Sequence, residues 1–101
     1  WIDAEVKSID SKTLKTPHMG WNILNVSSDS LLFKLSDEEL RYYFVHSYAV
    51  HCNNSGNVLA KTSYGDNFVS SFQKDNIFGV QFHPEKSHRF GQLLFKRFME
   101  I

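Results

Sequence analysis

The sequence predicts a β-rich fold, locally of α+β pattern, in which an antiparallel meander leads into one C-terminal helix. Runs dense in aromatic and β-branched residues cover 42–50, 58–64, 68–73 and 77–82. Short turn sequences separate the last three runs, and apolar residues recur at helical spacing near the end. With 101 residues, 42% of them hydrophobic and nine of them phenylalanine, the chain is sized for a single modest core.

Each element has its own signal. Residues 4–9 alternate, Ala4 and Val6 against Glu5 and Lys7, as a short half-exposed strand does. Lys15-Thr16-Pro17-His18-Met19-Gly20-Trp21-Asn22 places proline and glycine three apart, predicting a shaped turn into a strand over Ile23-Leu24-Asn25-Val26. Ser27-Ser28-Asp29-Ser30 is a capping-type cluster before Leu31-Leu32-Phe33-Lys34-Leu35, which predicts one or two helical turns ending at Ser36-Asp37. The run 42–50 is the strongest strand signal and stops at the turn-rich residues 51–57. Strands over 58–64, 68–73 and 77–82 follow, made antiparallel neighbours by the short loops Gly65-Asp66-Asn67 and Lys74-Asp75-Asn76. After His83-Pro84-Glu85-Lys86-Ser87, the residues Phe90, Leu94, Phe98 and Ile101, flanked by Leu93, form a helical stripe with Ser87 as N-cap.

Composition excludes several function classes. Eleven basic and eleven acidic residues are dispersed along the chain, so no net field draws nucleic acid or an anionic membrane. No apolar run approaches the roughly 18 residues of a membrane-spanning helix. Cys52 is the single cysteine, which precludes an internal disulfide and suits a reducing compartment. The chain opens Trp1-Ile2-Asp3-Ala4, without an initiator methionine or signal segment, and is expected to be part of a longer or processed protein.

Phe82-His83-Pro84-Glu85 is the sharpest chemical feature. Pro84 fixes its own φ and biases His83 toward extended backbone, where side chains two apart point the same way. His83 and Glu85 then face each other with Cα atoms roughly 6.6 Å apart by strand rise, and a carboxylate that orients an imidazole is half of a catalytic triad. By residue types alone the same pair at a strand end is more often a surface ion pair. His-x-Glu also begins the zinc-deaminase signature, but that motif needs two further cysteines downstream and none follows Cys52. His46, His51 and Cys52 are close in sequence, yet on one strand His46 and His51 face opposite sides, a poor start for a zinc site. Cys52 itself lacks the flanking glycines and following helix of an exposed nucleophile, and reads as an ordinary thiol.

Three blocks carry a family resemblance. Pro17-His18-Met19-Gly20-Trp21-Asn22, Tyr43-Phe44-Val45-His46-Ser47-Tyr48 and Gly79-Val80-Gln81-Phe82-His83-Pro84-Glu85-Lys86-Ser87 resemble, in order and spacing, three signatures of the class I (triad-type) glutamine amidotransferases. The similarity is greatest to the glutaminase subunits of imidazole glycerol phosphate synthases in histidine biosynthesis, and it runs from near residue 1 to the C-terminus. The fold class it implies is α/β, with residues 1–101 the C-terminal part of one amidotransferase domain whose N-terminal half, bearing the nucleophile elbow, is absent.

The resemblance also implies roles. His83 is the general base of a Cys-His-Glu triad and Glu85 orients it. The triad cysteine of the family lies upstream on a Gly-x-Cys-x-Gly turn whose backbone N–H groups help form the oxyanion hole. No such turn occurs here, so this chain alone is expected not to turn over glutamine. Ser47 and Tyr48 match the segment whose backbone helps hold glutamine. His18, Met19, Gly20, Trp21 and Asn22, with Tyr43 and Lys86, match the surface that faces the synthase subunit, a (βα)₈ barrel receiving ammonia; Trp21 reads alternatively as a core aromatic. The implied protein is one half of a cytoplasmic heterodimer, with no cofactor, metal, nucleic acid or membrane. Two other readings stand beside it: a glutaminase serving a sugar amidotransferase in surface-polysaccharide synthesis, and a non-catalytic protein-binding module with a vestigial His-Pro-Glu.

Overall fold

The computed structural model describes residues 4–8, 18–27, 30–34, 37, 39–64 and 66–101. Expectations placed on 1–3, Ile9, 15–17, 28–29, 35–36 and Gly65 fall outside those residues. The described elements are β1 (Ala4–Ser8), β2 (His18–Ile23), β3 (Asn25–Val26), β4 (Arg41–His46), β5 (Tyr48–Cys52), β6 (Val58–Tyr64), β7 (Asp66–Lys74), β8 (Ile77–Val80) and α1 (His88–Met99). Short 3₁₀ turns occupy Ser55–Asn57 and Pro84–Lys86. This is the sheet-rich arrangement with a C-terminal helix that the sequence predicts.

Six strands form one antiparallel sheet in the order β1-β5-β7-β6-β3, with β8 also on β7, while β2 and β4 pair separately. The meander is present as β6-β7-β8. Its second hairpin turns on Asp75, whose φ of 55° is the left-handed conformation that a two-residue hairpin loop requires. Asp66 and Asn67, expected in a loop, extend β7 instead, because the β6 pairing runs on to Tyr64 opposite Asp66. Val69 pairs with Lys61 of β6 and Val50 of β5, and Ser71 pairs with Ala60 of β6 and Val80 of β8. β5 and β8 therefore share one edge of β7, and the connection through Ser55–Asn57 steps over a strand position rather than closing a hairpin.

The chain changes sheets at Leu24, at Ser47 and across Gln81 and Phe82. The run 42–50, expected as one strand, is broken at Ser47 into β4 and β5. The burial phase explains the break: Tyr42, Phe44 and His46 are buried in alternation, but the next buried residue is Ala49, while Tyr48 is exposed. Alternation slips by one position, which a straight strand cannot do. The turn expected over Lys15 to Asn22 is likewise corrected, since His18–Ile23 forms a strand opposite β4. Its glycine signal has a real cause nonetheless, because Gly20 takes a φ of 128° in mid-strand, a conformation that side chains resist even where space is open.

The short helix expected over 31–35 is absent from the described part, Leu31 to Lys34. Ser30 does act as a cap, its Oγ accepting from the backbone N–H of Leu32 and Phe33 at 3.3 and 3.1 Å. Propagation stops because the next donor is taken: the Lys34 N–H goes to Asp37 Oδ2 at 2.9 Å, and the Asp37 N–H returns to the Lys34 carbonyl.

Phe33, Tyr42 and Phe44 are fully buried and Phe82 stacks on Tyr42 at 4.0 Å between ring centres. The helix adds Leu94, and Tyr42 donates its hydroxyl to the Phe90 carbonyl at 3.0 Å, with burial pushing that phenol well above its ordinary value. The expected helical stripe is narrower than drawn: Phe98 and Ile101 are exposed, although Phe98 still meets the Phe78 ring edge-on. Arg97 anchors the other flank. Its guanidinium donates to both Asp37 oxygens at 2.7 and 2.8 Å and to the Leu32 carbonyl at 2.9 Å, and these bonds hold the Asp37 carboxyl below its usual range. Arg97→Met keeps the stem and removes the fork, leaving a largely buried carboxylate with its Lys34 N–H bond but without its counter-charge. We expect roughly 3 kcal/mol of destabilisation by chemical denaturation, and an unchanged midpoint would mean that water screens the pair.

Candidate active site

β8 ends at Val80, and the next residues carry the chain from the large sheet to the small one. The Gln81 N–H donates to the Ser70 carbonyl of β7, whereas the His83 N–H donates to the Tyr43 carbonyl of β4 at 2.9 Å. The segment after Phe82 thus lies along the edge of β4 that β2 leaves free. His83 is extended (φ −101°, ψ 98°), as Pro84 demands. Glu85 is not, because Pro84–Lys86 winds into a 3₁₀ turn.

The pair nevertheless meets: His83 Nδ1 lies 2.7 Å from Glu85 Oε1. A carboxylate only accepts, so Nδ1 carries the proton and Nε2 presents its lone pair outward. Both side chains are substantially exposed. The Glu85 carboxyl is held below its ordinary value, first by its own backbone N–H and then by His83. An imidazole of fixed tautomer with an open Nε2 can act as general base or, once protonated, as general acid.

Ser87 and Gly91 hold this turn in place. Ser87 was expected to cap α1 through its side chain, but that side chain makes no cap bond. Fully buried, its Oγ donates to the His83 carbonyl at 2.7 Å and accepts from the Tyr43 N–H at 3.0 Å, bolting the turn to β4. Gly91 lets the helix approach: a Cβ there would stand 1.8 Å from the Pro84 carbonyl oxygen.

The β2–β4 ribbon has two distinct faces. Inward, His18 opposes His46 and Gly20 opposes Phe44. His18 is 3% exposed and stacks between Phe44 and Tyr64, so it underlies the surface to which the sequence assigned it. Outward stand Met19, Trp21 and Tyr43, with Trp21 46% exposed, edge-on to Tyr43 and stacked on His88. Lys86 is exposed, Asn22 partly buried. Ser47 sits at the bend between β4 and β5, with Tyr48 exposed directly after it. His83 is tied to this ribbon through Tyr43, which joins the second and third sequence blocks in space.

Residues 4–101 match the family described as glutamine amidotransferase class-I. The chain belongs to that family. Among similar amidotransferase chains, imidazole glycerol phosphate synthase subunit HisH 2 of Methanococcus maripaludis is 50% identical over 93 residues, 89% of this chain and 45% of its own length. The subunit of the same name from Pseudomonas aeruginosa is 40% identical over 102 residues, covering all of this chain and 50% of its own. Subunit HisH of Yersinia pseudotuberculosis is 44% identical over 101 residues. The chain spans about half the length of the curated relatives it matches.

In this amidotransferase chain Cys52 ends β5 opposite Ala4, and burial pushes its thiol up, the wrong direction for a nucleophile at neutral pH. Among the described residues no three His, Cys, Asp or Glu side chains gather as metal ligands, and no helix is long and apolar enough to cross a membrane. His46 is instead committed to His18 and to the Tyr48 carbonyl. Nothing local in the sequence signals the roles of Ser87 and Gly91, since each acts through a partner on another element.

Proposed function

We propose that this chain is the C-terminal part of a glutaminase subunit, which hydrolyses glutamine to glutamate and ammonia and passes the ammonia to a (βα)₈-barrel synthase subunit for imidazole glycerol phosphate formation in histidine biosynthesis. The observation that carries the reading is the 2.7 Å pair of His83 and Glu85, its Nε2 open, in a chain of the class I amidotransferase family. The acceptor follows the names of the relatives, each a subunit of imidazole glycerol phosphate synthase.

The chemistry needs a thiolate from outside these 101 residues, which the reading assigns to a Gly-x-Cys-x-Gly turn elsewhere in the protein. The thiolate attacks the side-chain amide carbon of glutamine, the C–N bond breaks, and protonated His83 gives its Nε2 proton to the departing ammonia. Neutral His83 then takes a proton from water as it attacks the thioester; the C–S bond breaks and the thiolate returns. Glu85 steadies each imidazolium through Nδ1. Ser47 and Tyr48 supply backbone to hold glutamine. The deciding assay is glutamate release by the complete subunit assembled with its synthase, and no release would end the reading.

The synthase would sit on the outward face of the β2–β4 ribbon, which carries Met19, Trp21 and Tyr43, and reach the exposed Lys86. An aromatic anchor half-exposed in the free chain and packed against Tyr43 and His88 has the make-up of an interface hot spot. Trp21→Ala should weaken association with the synthase about tenfold or more while moving the melting temperature little. A collapse of the melting temperature with association unchanged would return Trp21 to the core.

A further inference from the structure

Beneath the outward face of the ribbon runs a buried chain of hydrogen bonds that the hydrolytic steps do not use. His46 Nδ1 lies 2.9 Å from the Tyr48 carbonyl oxygen, His46 Nε2 lies 2.9 Å from His18 Nδ1, and His18 Nε2 lies 3.2 Å from Asn22 Nδ2. The Asn22 amide nitrogen also donates to the Ser63 carbonyl at 2.9 Å, and its oxygen accepts from the Ile23 N–H.

The donors and acceptors can be assigned in only one way. A carbonyl accepts, so His46 Nδ1 must donate to Tyr48. Burial holds His46 below the ordinary imidazole value, partly countered by that same bond and reinforced by the nearby charge of His83, so the ring is neutral and its Nε2 accepts. His18 Nδ1 must therefore donate. His18 is also neutral, lowered to about 4 by burial and then by His46, and its Nε2 accepts from Asn22. Every polar atom in the chain is satisfied, and each depends on its neighbour's tautomer.

The chain ends at the bend where the strand phase slips. His46 precedes Ser47 and its ring grips the carbonyl two residues on, so the bond spans the corner between β4 and β5. Phe44 and Tyr64 stack on the His18 ring, and Phe44 and Phe68 pack against the His46 ring.

We propose that His46, with His18 behind it, is a positioning residue for glutamine: its Nδ1–H holds the Tyr48 carbonyl, sets the Ser47 corner, and so presents the backbone of this segment to the substrate. The inference rests on the glutaminase reading and names the side chains that support its substrate segment. Backbone that holds glutamine does so alike before and during reaction, so its loss appears in KM rather than in kcat.

Three variants of the complete subunit, assayed for glutaminase activity with its synthase, separate this role from simple packing. Asparagine places an amide N–H near the position of Nδ1, glutamine places one near Nε2, and phenylalanine keeps the ring without either. His46→Phe and His46→Gln should raise KM for glutamine about tenfold, with kcat within about threefold, while His46→Asn should restore most of the affinity. If all three variants shift KM alike, or lose stability alike with KM unmoved, His46 is a packing residue only and the proposal is overturned. Long-range ¹H–¹⁵N spectra of the wild type provide a measurement independent of variant folding. Both His18 and His46 should appear as neutral Nδ1–H tautomers, and an Nε2–H tautomer at either would break the chain. A wild type without glutaminase activity would overturn the glutaminase reading, and this one with it; a working wild type in which Phe and Asn behave identically overturns this one alone.

Discussion

Replacing His83 with alanine in the complete subunit should lower glutamine turnover by about 10²–10⁴-fold, the usual contribution of positioned acid–base assistance. On the proposed mechanism the loss falls on kcat, because the imidazole there acts only while protons move. Glu85→Gln should cost less, since an amide oxygen can still accept from His83 Nδ1 at the position where the carboxylate now stands at 2.7 Å, but it no longer offsets an imidazolium charge. Glu85 is exposed, which further limits its electrostatic share. Near-normal hydrolysis by His83→Ala would reduce the His83–Glu85 pair to the surface ion pair that residue types alone allow.

Gly91→Ala should be nearly as damaging, although Gly91 is remote from the reacting atoms. Its new Cβ would meet the Pro84 carbonyl oxygen at 1.8 Å and the carbonyl carbon at 2.8 Å, and both are backbone atoms that no side-chain rotation can clear. Either the helix retreats or the 3₁₀ turn between His83 and Glu85 moves. Ser87 ties that turn to β4, so displacement of the turn would move Nε2 out of the alignment that the proposed hydrolysis needs. A shift of about 1 Å at a catalytic group can cost roughly 10²-fold in rate, on top of roughly 1–3 kcal/mol of overpacking strain. Gly79→Ala is the matched control. A Cβ there would meet the Phe72 ring at 2.2 Å, but that is a side chain able to swing aside and not backbone of the His83 turn. The expected outcome is lost stability in both variants and lost turnover in Gly91→Ala only. Full activity in stable Gly91→Ala would mean that the helix yields and the turn does not.

What could be read from the sequence was what acts locally. His83 and Glu85 are two residues apart with a proline between them, so their contact was legible even though a 3₁₀ turn, not extended chain, brings them together. The β6-β7-β8 meander was legible for the same reason, because short turns leave few alternatives. Ser30 is legible as a cap, but the helix behind it fails for a reason the local pattern does not carry, because Asp37 takes the Lys34 N–H. The unreadable parts depend on pairings distant in sequence. His18 faces His46 only because β2 pairs with β4 in that register, and Ser87 bridges to Tyr43 only because the turn lies on β4. The phase slip at Ser47 was hidden because the aromatic run continues through it unchanged.

The sheet changes at Leu24, Ser47 and Gln81 also set an order of assembly. The β6–β7 and β7–β8 hairpins close across short connections, at small loop entropy, and can pair early. The β2–β4 ribbon must close the long segment between Ile23 and Arg41, and the His83 turn can dock only once Tyr43 is in place. Pairings that span long stretches of chain form slowly. The turn that carries His83 and Glu85 is thus among the last parts of this chain to become native, and among the first to be lost when β4 is released.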